Sequence, residues 1–184
     1  MTADNQGVRF EEAVLPHLDA AFNLARWLVR DSADAQDIVQ EAYLRAWKGF
    51  AGFHGGDGRP WILAIVRNTC YTWLRKHSRR DLTVEFDEAA HTHETSTPNP
   101  ERLLVEKTNR DVLQHALEEL PAEFRESIVL RELEGLSYKE ISEIAGVPVG
   151  TVMSRLARAR ARLRDCIAAA DKGGPTCGAQ KLKL

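Results

Sequence analysis

Cysteine, aromatic residues and long apolar runs are all scarce in this sequence. It has three cysteines among 184 residues, none of them in a CxxC pair, and aromatic residues make up 7%. An odd cysteine count without ligand spacing indicates neither a disulfide framework nor a zinc site. The apolar run at 60–66 is seven residues long, whereas a bilayer-spanning helix needs about 20. Residues 1–7 lack the apolar core of a signal peptide, so we expect a cytoplasmic protein without a transmembrane helix.

A catalytic centre is not recognisable either. The glycine-rich segment 49–58 lacks the GxxxxGK[ST] pattern, which argues against nucleotide hydrolysis. No paired carboxylates or nucleophile–base arrangement can be picked out, so we expect neither an enzyme nor a cofactor. His91, His93 and Glu94 carry metal-ligating side chains at short spacing, but histidines in a polar segment are more often solvated. We therefore predict no metal site.

Cysteine chemistry has weak support in the sequence. Cys166 and Cys177 are candidates for redox sensing, but no neighbouring base is evident that would activate a thiol. Cys70 lies in an apolar helical pattern and is expected to be a small core residue.

The net charge of −2 conceals a strong segregation of charge along the chain. Residues 59–80 carry six basic side chains and no acidic one, whereas residues 81–101 carry six acidic side chains and no basic one. Residues 137–164 carry six basic and two acidic side chains. Because like-charged blocks create local fields whatever the total charge, this pattern predicts two separate surfaces that face a polyanion.

The apolar periodicity is helical throughout, and no segment shows sustained alternation of β-branched residues. We predict an all-α fold of two small helical bundles joined by a flexible acidic linker, since residues 81–100 contain too few large apolar side chains to offset the entropy of ordering. The predicted helices span residues 10–30 (with Pro16 as a start or kink), 33–50, 60–80, 101–119, 122–133, 138–145 and 149–165. The predicted divisions are a first domain at 1–80, the linker at 81–104, a second domain at 105–170 and a disordered tail at 171–184.

The second domain contains the signals of a helix-turn-helix. Ser137 followed three residues later by Glu140 is a capping box, which begins a helix sharply. Gly146 can adopt the positive φ that ends this helix, and Pro148 suits the start of the next one. A helix, a short glycine-containing turn and a second helix form the unit that places its second helix in the major groove of DNA.

A helical wheel of the second helix separates a core stripe from a polar face. The polar side carries Thr151, Ser154, Arg158 and Arg162, which supply hydrogen-bond donors for base edges, and Arg155 beside them can reach phosphates. The helix has five arginines and no acid between residues 149 and 164, which favours binding to duplex DNA over a merely solvated surface. The predicted core stripe consists of Val149, Val152, Leu156, Ala159 and Leu163.

The helix predicted at 33–50 has an apolar residue in the middle of its charged side. Leu44 is surrounded by polar side chains, as in an interface with an apolar centre and a polar rim. A single exposed leucine is also common without any function. The surrounding residues are Asp37, Gln40, Glu41, Arg45 and Lys48.

The helix predicted at 60–80 mixes aromatic rings with cations. Such a mixture suits single-stranded nucleic acid, because unpaired bases stack on the rings while the phosphates follow the charges. Trp61 and Trp73 are expected to belong at least partly to the core. The residues that fit a nucleic-acid surface better are Tyr71, Arg75, Lys76 and Arg79.

Taken together, these motifs resemble the bacterial sigma factors of the extracytoplasmic function (ECF) group of the sigma-70 family. The segment 34–47 looks like the helix that docks on the polymerase clamp, and 61–69 looks like the part that opens the strands and reads the −10 element. The segments 120–121, 135–141 and 148–160 are similar to the −35 reading domain. The resemblance covers about residues 10–80 and 105–165.

The resemblance implies a role for each matching residue. Core RNA polymerase, through its β′ clamp and β flap, would be one partner and promoter DNA another, with an anti-sigma factor as a common inhibitor. Met153 departs from the pattern, because many relatives have arginine or lysine there. The polymerase contacts would be Asp37, Gln40, Glu41, Leu44 and Arg45. The −10 contacts would be Phe53, Asn68, Tyr71, Thr72, Arg75, Lys76 and Arg79. The −35 contacts would be Thr151, Ser154, Arg155, Arg158 and Arg162.

The sequence therefore predicts a transcription initiation factor that directs polymerase through two DNA contacts and promotes strand opening. The alternative is a DNA-binding regulator whose helix-turn-helix reads an operator without polymerase. The basic aromatic helix and the acidic linker argue against that alternative, as does the absence of an obvious dimer seam in the sequence.

Overall fold

The computed structural model describes residues 3–77 and 112–171, and within those ranges all regular structure is helical. The predicted all-α class with two helical parts is thereby confirmed. The predicted linker, together with His91, His93, Arg79 and Cys177, lies outside the described residues. The first part contains α1 (Ala3–Ala13), α2 (Leu18–Val29), α3 (Ser32–Gly49) and α4 (Gly58–His77). The second part contains α5 (112–118), α6 (Ala122–Ile128), α7 (Tyr138–Ala145) and α8 (Val149–Asp171).

Local residue chemistry explains where these helices begin and end. Pro16 lies in a short 3₁₀ turn, Leu15–His17, that divides the predicted helix 10–30 into two. Asp31 caps α3, since its carboxylate accepts hydrogen bonds from the backbone N–H groups of the next turn at 2.7 and 2.9 Å. The predicted helix 122–133 ends in a π-helical turn, Val129–Leu133. The predicted helix 149–165 is longer than expected and continues to Asp171.

In the first part, α2, α3 and α4 pack against one another around an apolar centre. Gly58 begins α4 directly against α1, because a Cβ atom at this position would lie 2.0 Å from the carbonyl oxygen of Ala13. The apolar periodicity of the predicted helices 10–30 and 33–50 places Leu18 and Trp47 on core stripes, but the two residues are 46% and 43% exposed. Leu18 is the first residue of α2, where the preceding 3₁₀ turn changes the helical phase.

The two parts pack together, a contact that the sequence did not predict. α4 lies against α7, α2 lies against α6, and one continuous apolar cluster runs through both parts. The opposed charges favour this contact, because basic side chains of the first part meet acidic side chains of the second in two places, Arg59 with Glu134 and Arg67 with Glu126. The neutral amide of Asn23 also donates a hydrogen bond to Glu134 at 3.4 Å.

Candidate nucleic-acid and polymerase interfaces

The capping box and the turn between α7 and α8 have the geometry that the sequence predicts. The Ser137 hydroxyl accepts a hydrogen bond from the Glu140 backbone N–H at 3.3 Å, and the Glu140 carboxylate accepts one from the Ser137 backbone N–H at 2.7 Å. Hydrogen bonds from the Ser137 side chain and backbone N–H to the carboxylate hold the pKa of Glu140 below its ordinary value. Gly146 has a φ of 65° at the end of α7, and α8 begins three residues later at Val149. The turn therefore fixes the direction in which α8 leaves the core.

α8 presents a continuous exposed stripe along its first three turns. The side chains of Val152, Leu156 and Ala159 are at most 1% exposed and attach the helix to the core. The residues at positions i, i+1, i+4, i+5, i+8 and i+9 face solvent, which is the spacing of one helix side. These residues are Val149, Gly150, Met153, Ser154, Ala157 and Arg158.

The predicted −35 residues divide into two groups by their position on α8. Ser154 and Arg158 lie on the exposed stripe, and Thr151 and Arg155 lie half-buried at its edge. The Arg162 guanidinium stacks over the ring of Phe124, 5.1 Å from its centroid. The stripe therefore brings together Ser154 and Arg158, with the remaining predicted residues beside it.

Val149 was expected in the core stripe of α8, and that expectation is wrong. Its side chain is 39% exposed, because it is the first residue of the helix and lies beyond the edge of the packed surface. Met153, one turn later, is 53% exposed. Two apolar side chains thus adjoin the polar residues of the stripe.

The polymerase-docking residues predicted on α3 form one exposed surface. Leu44 is 51% exposed, and the Arg45 guanidinium donates to the Glu41 carboxylate at 2.7 Å across one turn of the helix. The opposite side of α3 is buried through Ala35, Ile38, Val39, Ala42 and Ala46. All five predicted residues are exposed: Asp37, Gln40, Glu41, Leu44 and Arg45.

A groove joins this surface to α4. It has a volume of about 250 Å³ and is lined on one side by α3 and on the other by α4. The α3 side contributes Asp37, Glu41 and Arg45, and the α4 side contributes Thr72 and Lys76. Residues predicted to contact polymerase and residues predicted to contact DNA are therefore neighbours.

The predicted −10 residues are in different environments. Asn68, Arg75 and Lys76 are exposed on α4, where Arg75 donates to the Thr72 hydroxyl at 3.3 Å. Phe53 is half-buried and packs against the rings of Phe50 and Trp61, 5.4 and 5.2 Å away between centroids. Trp61 and Trp73 are half-buried against the core, as expected.

Tyr71 lies in the contact between the two parts. Its hydroxyl donates to the Glu126 carboxylate at 2.9 Å, and the Arg67 guanidinium lies 4.4 Å from its ring centroid. Arg67 also donates to the other oxygen of the Glu126 carboxylate at 2.5 Å. Burial, followed by the charge of Glu126, raises the pKa of Tyr71. Tyr71 is thus engaged by a residue of the second part.

Arg125 provides a second polar link between the parts. Its side chain is 3% exposed, and it donates to the carbonyl oxygens of Trp27 at 2.7 Å and Leu28 at 3.4 Å in the first part. It also donates to the carbonyl oxygens of Leu117, Glu118 and Leu120 in the second part. Burial lowers the pKa of Arg125 to about 10, so the side chain stays charged at neutral pH. One buried guanidinium therefore joins two helix ends that are distant in the sequence.

Arg67, Arg125 and Glu126 were not among the predicted site residues. Arg67 was counted within the basic block, but its role in holding the parts together depends on a carboxylate 59 residues away. No local pattern distinguishes a charged residue buried between two bundles from one that faces water. Arg125 and Glu126 lie in a run of buried residues, Phe124–Leu130, that leaves them no solvated side.

Other kinds of site find no support in the described residues. No group of three or more His, Cys, Asp or Glu side chains there could hold a metal ion. Among the described helices, none has the length and apolar character needed to cross a membrane. Cys70 is completely buried, as expected, and burial raises the pKa of its thiol to about 12.

Comparison with protein families gives two matches, in the order of the two helical parts. Residues 13–80 match the model of sigma-70 region 2, and residues 110–163 match that of sigma-70 region 4. The ECF RNA polymerase sigma-E factor of Escherichia coli is 38% identical over 136 residues, which are 70% of this chain and 71% of that protein. The chain belongs to the ECF group of the sigma-70 family.

A second relative is longer than this chain. The ECF RNA polymerase sigma factor SigE of Mycolicibacterium smegmatis is 35% identical over 162 residues. The match covers 86% of this chain and 62% of that protein. The chain therefore spans about three-fifths of the length of this family member.

Two solved protein complexes contain a chain similar in structure to this one. The sigma factor RpoE of Bartonella quintana, solved with the anti-sigma factor NepR, has a TM-score of 0.72 and 30% identity, and the match covers 89% of this chain and 98% of that one. CnrH, solved with the cytosolic domain of CnrY, has a TM-score of 0.57 and 25% identity, with 87% and 88% covered.

Proposed function

We propose that the chain is a transcription initiation factor that binds core RNA polymerase and positions it on promoters through separate −10 and −35 contacts. The observation that carries this proposal is the exposed stripe of α8. A helix with five arginines and no acid up to residue 164 projects from a capped helix-turn-helix. In the same chain, α3 offers a second exposed surface with an apolar centre. A DNA-reading surface and a protein-docking surface in one chain are what an initiation factor requires.

The −35 element would be read by the stripe of α8. Ser154 and Arg158 would reach base edges, because they lie on the exposed side of the helix that would enter the major groove. Thr151 and Arg155 lie at its edge, where phosphates would pass. Arg162, one turn further along α8, would leave the ring of Phe124 and bind a phosphate of the DNA backbone. These assignments divide the five residues into base-reading and phosphate-binding groups.

The −10 element would bind along α4 as an opened strand. Exposed Asn68, Arg75 and Lys76 suit the phosphates and base edges, and Thr72 lies between them in the groove beside α3. Arg79 would extend this surface, and Phe53 would receive an unstacked base at the end of the preceding loop. Tyr71 is held by Glu126, so it can stack on a base only after α4 and α6 separate.

Core polymerase would bind through two places. The exposed surface of α3, with Leu44 at its centre, fits an interface with the β′ clamp, because an apolar residue ringed by charges is the usual anatomy of a protein contact. The helices of the second part would contact the β flap. Binding at two separate places would pull the parts away from each other, which would release Tyr71 for DNA.

An anti-sigma factor is proposed as the inhibitor. The sigma factor RpoE of Bartonella quintana, which is similar in structure to this chain, was solved in complex with the anti-sigma factor NepR. An inhibitor that holds α4 near α7 would keep Tyr71 on Glu126 and leave the −10 surface incomplete. Promoter activity would then depend on removal of the inhibitor.

The proposal is tested by mixing the purified chain with bacterial core polymerase and separating the products by size. We expect one complex that binds promoter duplexes more tightly than core polymerase alone. A chain that ignores core polymerase and binds a palindromic duplex as a dimer would contradict the proposal and support the DNA-binding regulator.

A further inference from the structure

The stripe of α8 has an apolar side that the proposed −35 contacts do not use. Val149 and Met153 are 39% and 53% exposed and lie four residues apart, on the same side of the helix. Gly150 lies beside them, and even a Cβ atom there would meet nothing within 4 Å. An approaching surface can therefore lie flat against this part of the helix.

The charge around these two side chains identifies the class of partner. Exposed apolar residues are ordinary when scattered, but here they adjoin Ser154 and Arg158 on a helix rich in arginine. A protein partner with an apolar surface would leave these arginines without counter-charges. A polyanion that carries small apolar groups satisfies both kinds of side chain.

The major groove of DNA has one apolar group on a base edge, the C5-methyl group of thymine. Met153 has no donor or acceptor for the polar groups of the other bases, apart from a weakly accepting sulfur. Its flexible side chain can adapt to a methyl group at the groove floor. It also lies in the first two turns of α8, the part of a recognition helix that contacts bases.

We propose that Met153, supported by Val149, determines −35 specificity by packing against the methyl group of a thymine. The inference rests on the proposed function, since it assumes that α8 enters the groove of the −35 element. Arg158 and Ser154 would then read the neighbouring bases by hydrogen bonds, and Met153 would read one base by shape.

The test removes each thymine methyl group separately. A promoter duplex is selected from a library with random −35 sequence by the reconstituted polymerase, and each −35 thymine is then replaced by deoxyuridine, which pairs identically but lacks the methyl group. At one or two positions we expect this replacement to weaken promoter binding by polymerase that carries the unaltered chain about fourfold. A loss of this size corresponds to the free energy of burying one methyl group.

A variant then assigns the methyl contact to the side chain. Polymerase with Met153→Ala should bind the thymine duplex about as weakly as the unaltered form binds the deoxyuridine duplex, and replacement of the thymine should cost it nothing more. Leu133→Ala is the matched control, since Leu133 is also exposed (55%) but lies outside α8, and it should retain the full loss on methyl removal.

Two results separate this inference from the proposed function. The inference is wrong if the effects of Met153→Ala and deoxyuridine on binding add at every position. It is also wrong if neither change weakens binding. The proposed recruitment of polymerase to promoters is unaffected by either result. The salt dependence of binding gives a further check: it should be unchanged in Met153→Ala, because no phosphate contact is lost. A shallower salt dependence would place Met153 at the backbone and overturn the inference.

Discussion

Glu126 and Arg67 form an ion pair across the contact between the two helical parts, with the carboxylate fully buried and 2.5 Å from the guanidinium Nε. The other carboxylate oxygen accepts the hydroxyl of Tyr71, a residue predicted to bind the −10 element. The contact between the parts and the proposed −10 surface therefore share a side chain. Under the proposed function, Tyr71 would leave Glu126 to bind DNA, so the closed arrangement and promoter opening would compete.

Removal of the Glu126 carboxylate should loosen the contact between the parts. We expect Glu126→Ala to lower the free energy of unfolding by about 3 kcal/mol, because it leaves Arg67 without its partner in a mostly buried place. Fluorescent labels at His54 and Glu143, which line one cleft of about 640 Å³ between the parts, should also move apart. Urea unfolding and energy transfer measure the two effects.

The matched control for this variant is an ion pair within the second part. Glu132 pairs with Arg160 at 2.6 Å, and both side chains are about half exposed. Glu132→Ala should change the free energy of unfolding by less than about 1 kcal/mol and leave the label distance unchanged. An equal increase in label distance in both variants would show that the buried pair does not hold the parts together.

Loss of the Arg158 guanidinium should weaken recognition of the −35 element. We expect Arg158→Ala to cost about 1–3 kcal/mol of binding to a promoter with its −35 element, because a base-edge contact is lost. Run-off transcription from that promoter and from one with a scrambled −35 element provides the measurement. Equal effects on the two promoters would place Arg158 on the phosphate backbone and not on a base.

Leu44 should be important for binding to core polymerase. We expect Leu44→Ala to weaken that binding about tenfold or more, as truncation of a central interface residue commonly does. The comparison is Leu18→Ala, since Leu18 has a similar exposure (46% against 51%) but lies on α2, which carries none of the proposed polymerase contacts. If competition binding gives the same affinity for both variants, α3 is not the docking surface.

The capping box should stabilise the helix-turn-helix. Ser137→Ala removes the acceptor for the Glu140 backbone N–H, and we expect it to lower the free energy of unfolding by about 1 kcal/mol. Hydrogen bonds from the Ser137 side chain and backbone lower the pKa of Glu140. The stability from these bonds is therefore present above the ordinary carboxyl pKa of 4.5 and is lost as the pH falls through the lower native value. Because Ser137→Ala removes the side-chain bond to the carboxylate, its stability difference from the unaltered chain should narrow in acid, while the part from the Glu140 backbone N–H remains. A constant difference down to pH 2 would contradict this account.

Cys70 should be inert in the folded chain. Its pKa of about 12, raised by burial, leaves almost no thiolate at pH 8. We expect alkylation of Cys70 at pH 8, followed by peptide mass spectrometry, to be roughly a thousandfold slower in the native chain than in urea. Rapid native alkylation would show that α4 leaves the core.

The sequence predicted those features that depend on neighbouring residues. Ser137 and Glu140 fix the start of α7, and Gly146 and Pro148 fix the turn, so α7 was predicted with its observed bounds. Val149 and Leu18 were wrongly predicted to be buried. Each is the first residue of a helix, where the apolar periodicity of the sequence does not indicate burial. The contact between the parts could not be predicted, because Arg125 donates to Trp27 across 98 residues and such a contact leaves no periodic signal.

The proposed function is tested most directly by transcription with core polymerase alone and with the purified chain added. The account predicts transcripts that begin at a fixed distance from a −10 and −35 pair only when the chain is present, and their loss with Leu44→Ala. Transcripts that are the same with and without the chain, at matched polymerase concentration, would contradict it.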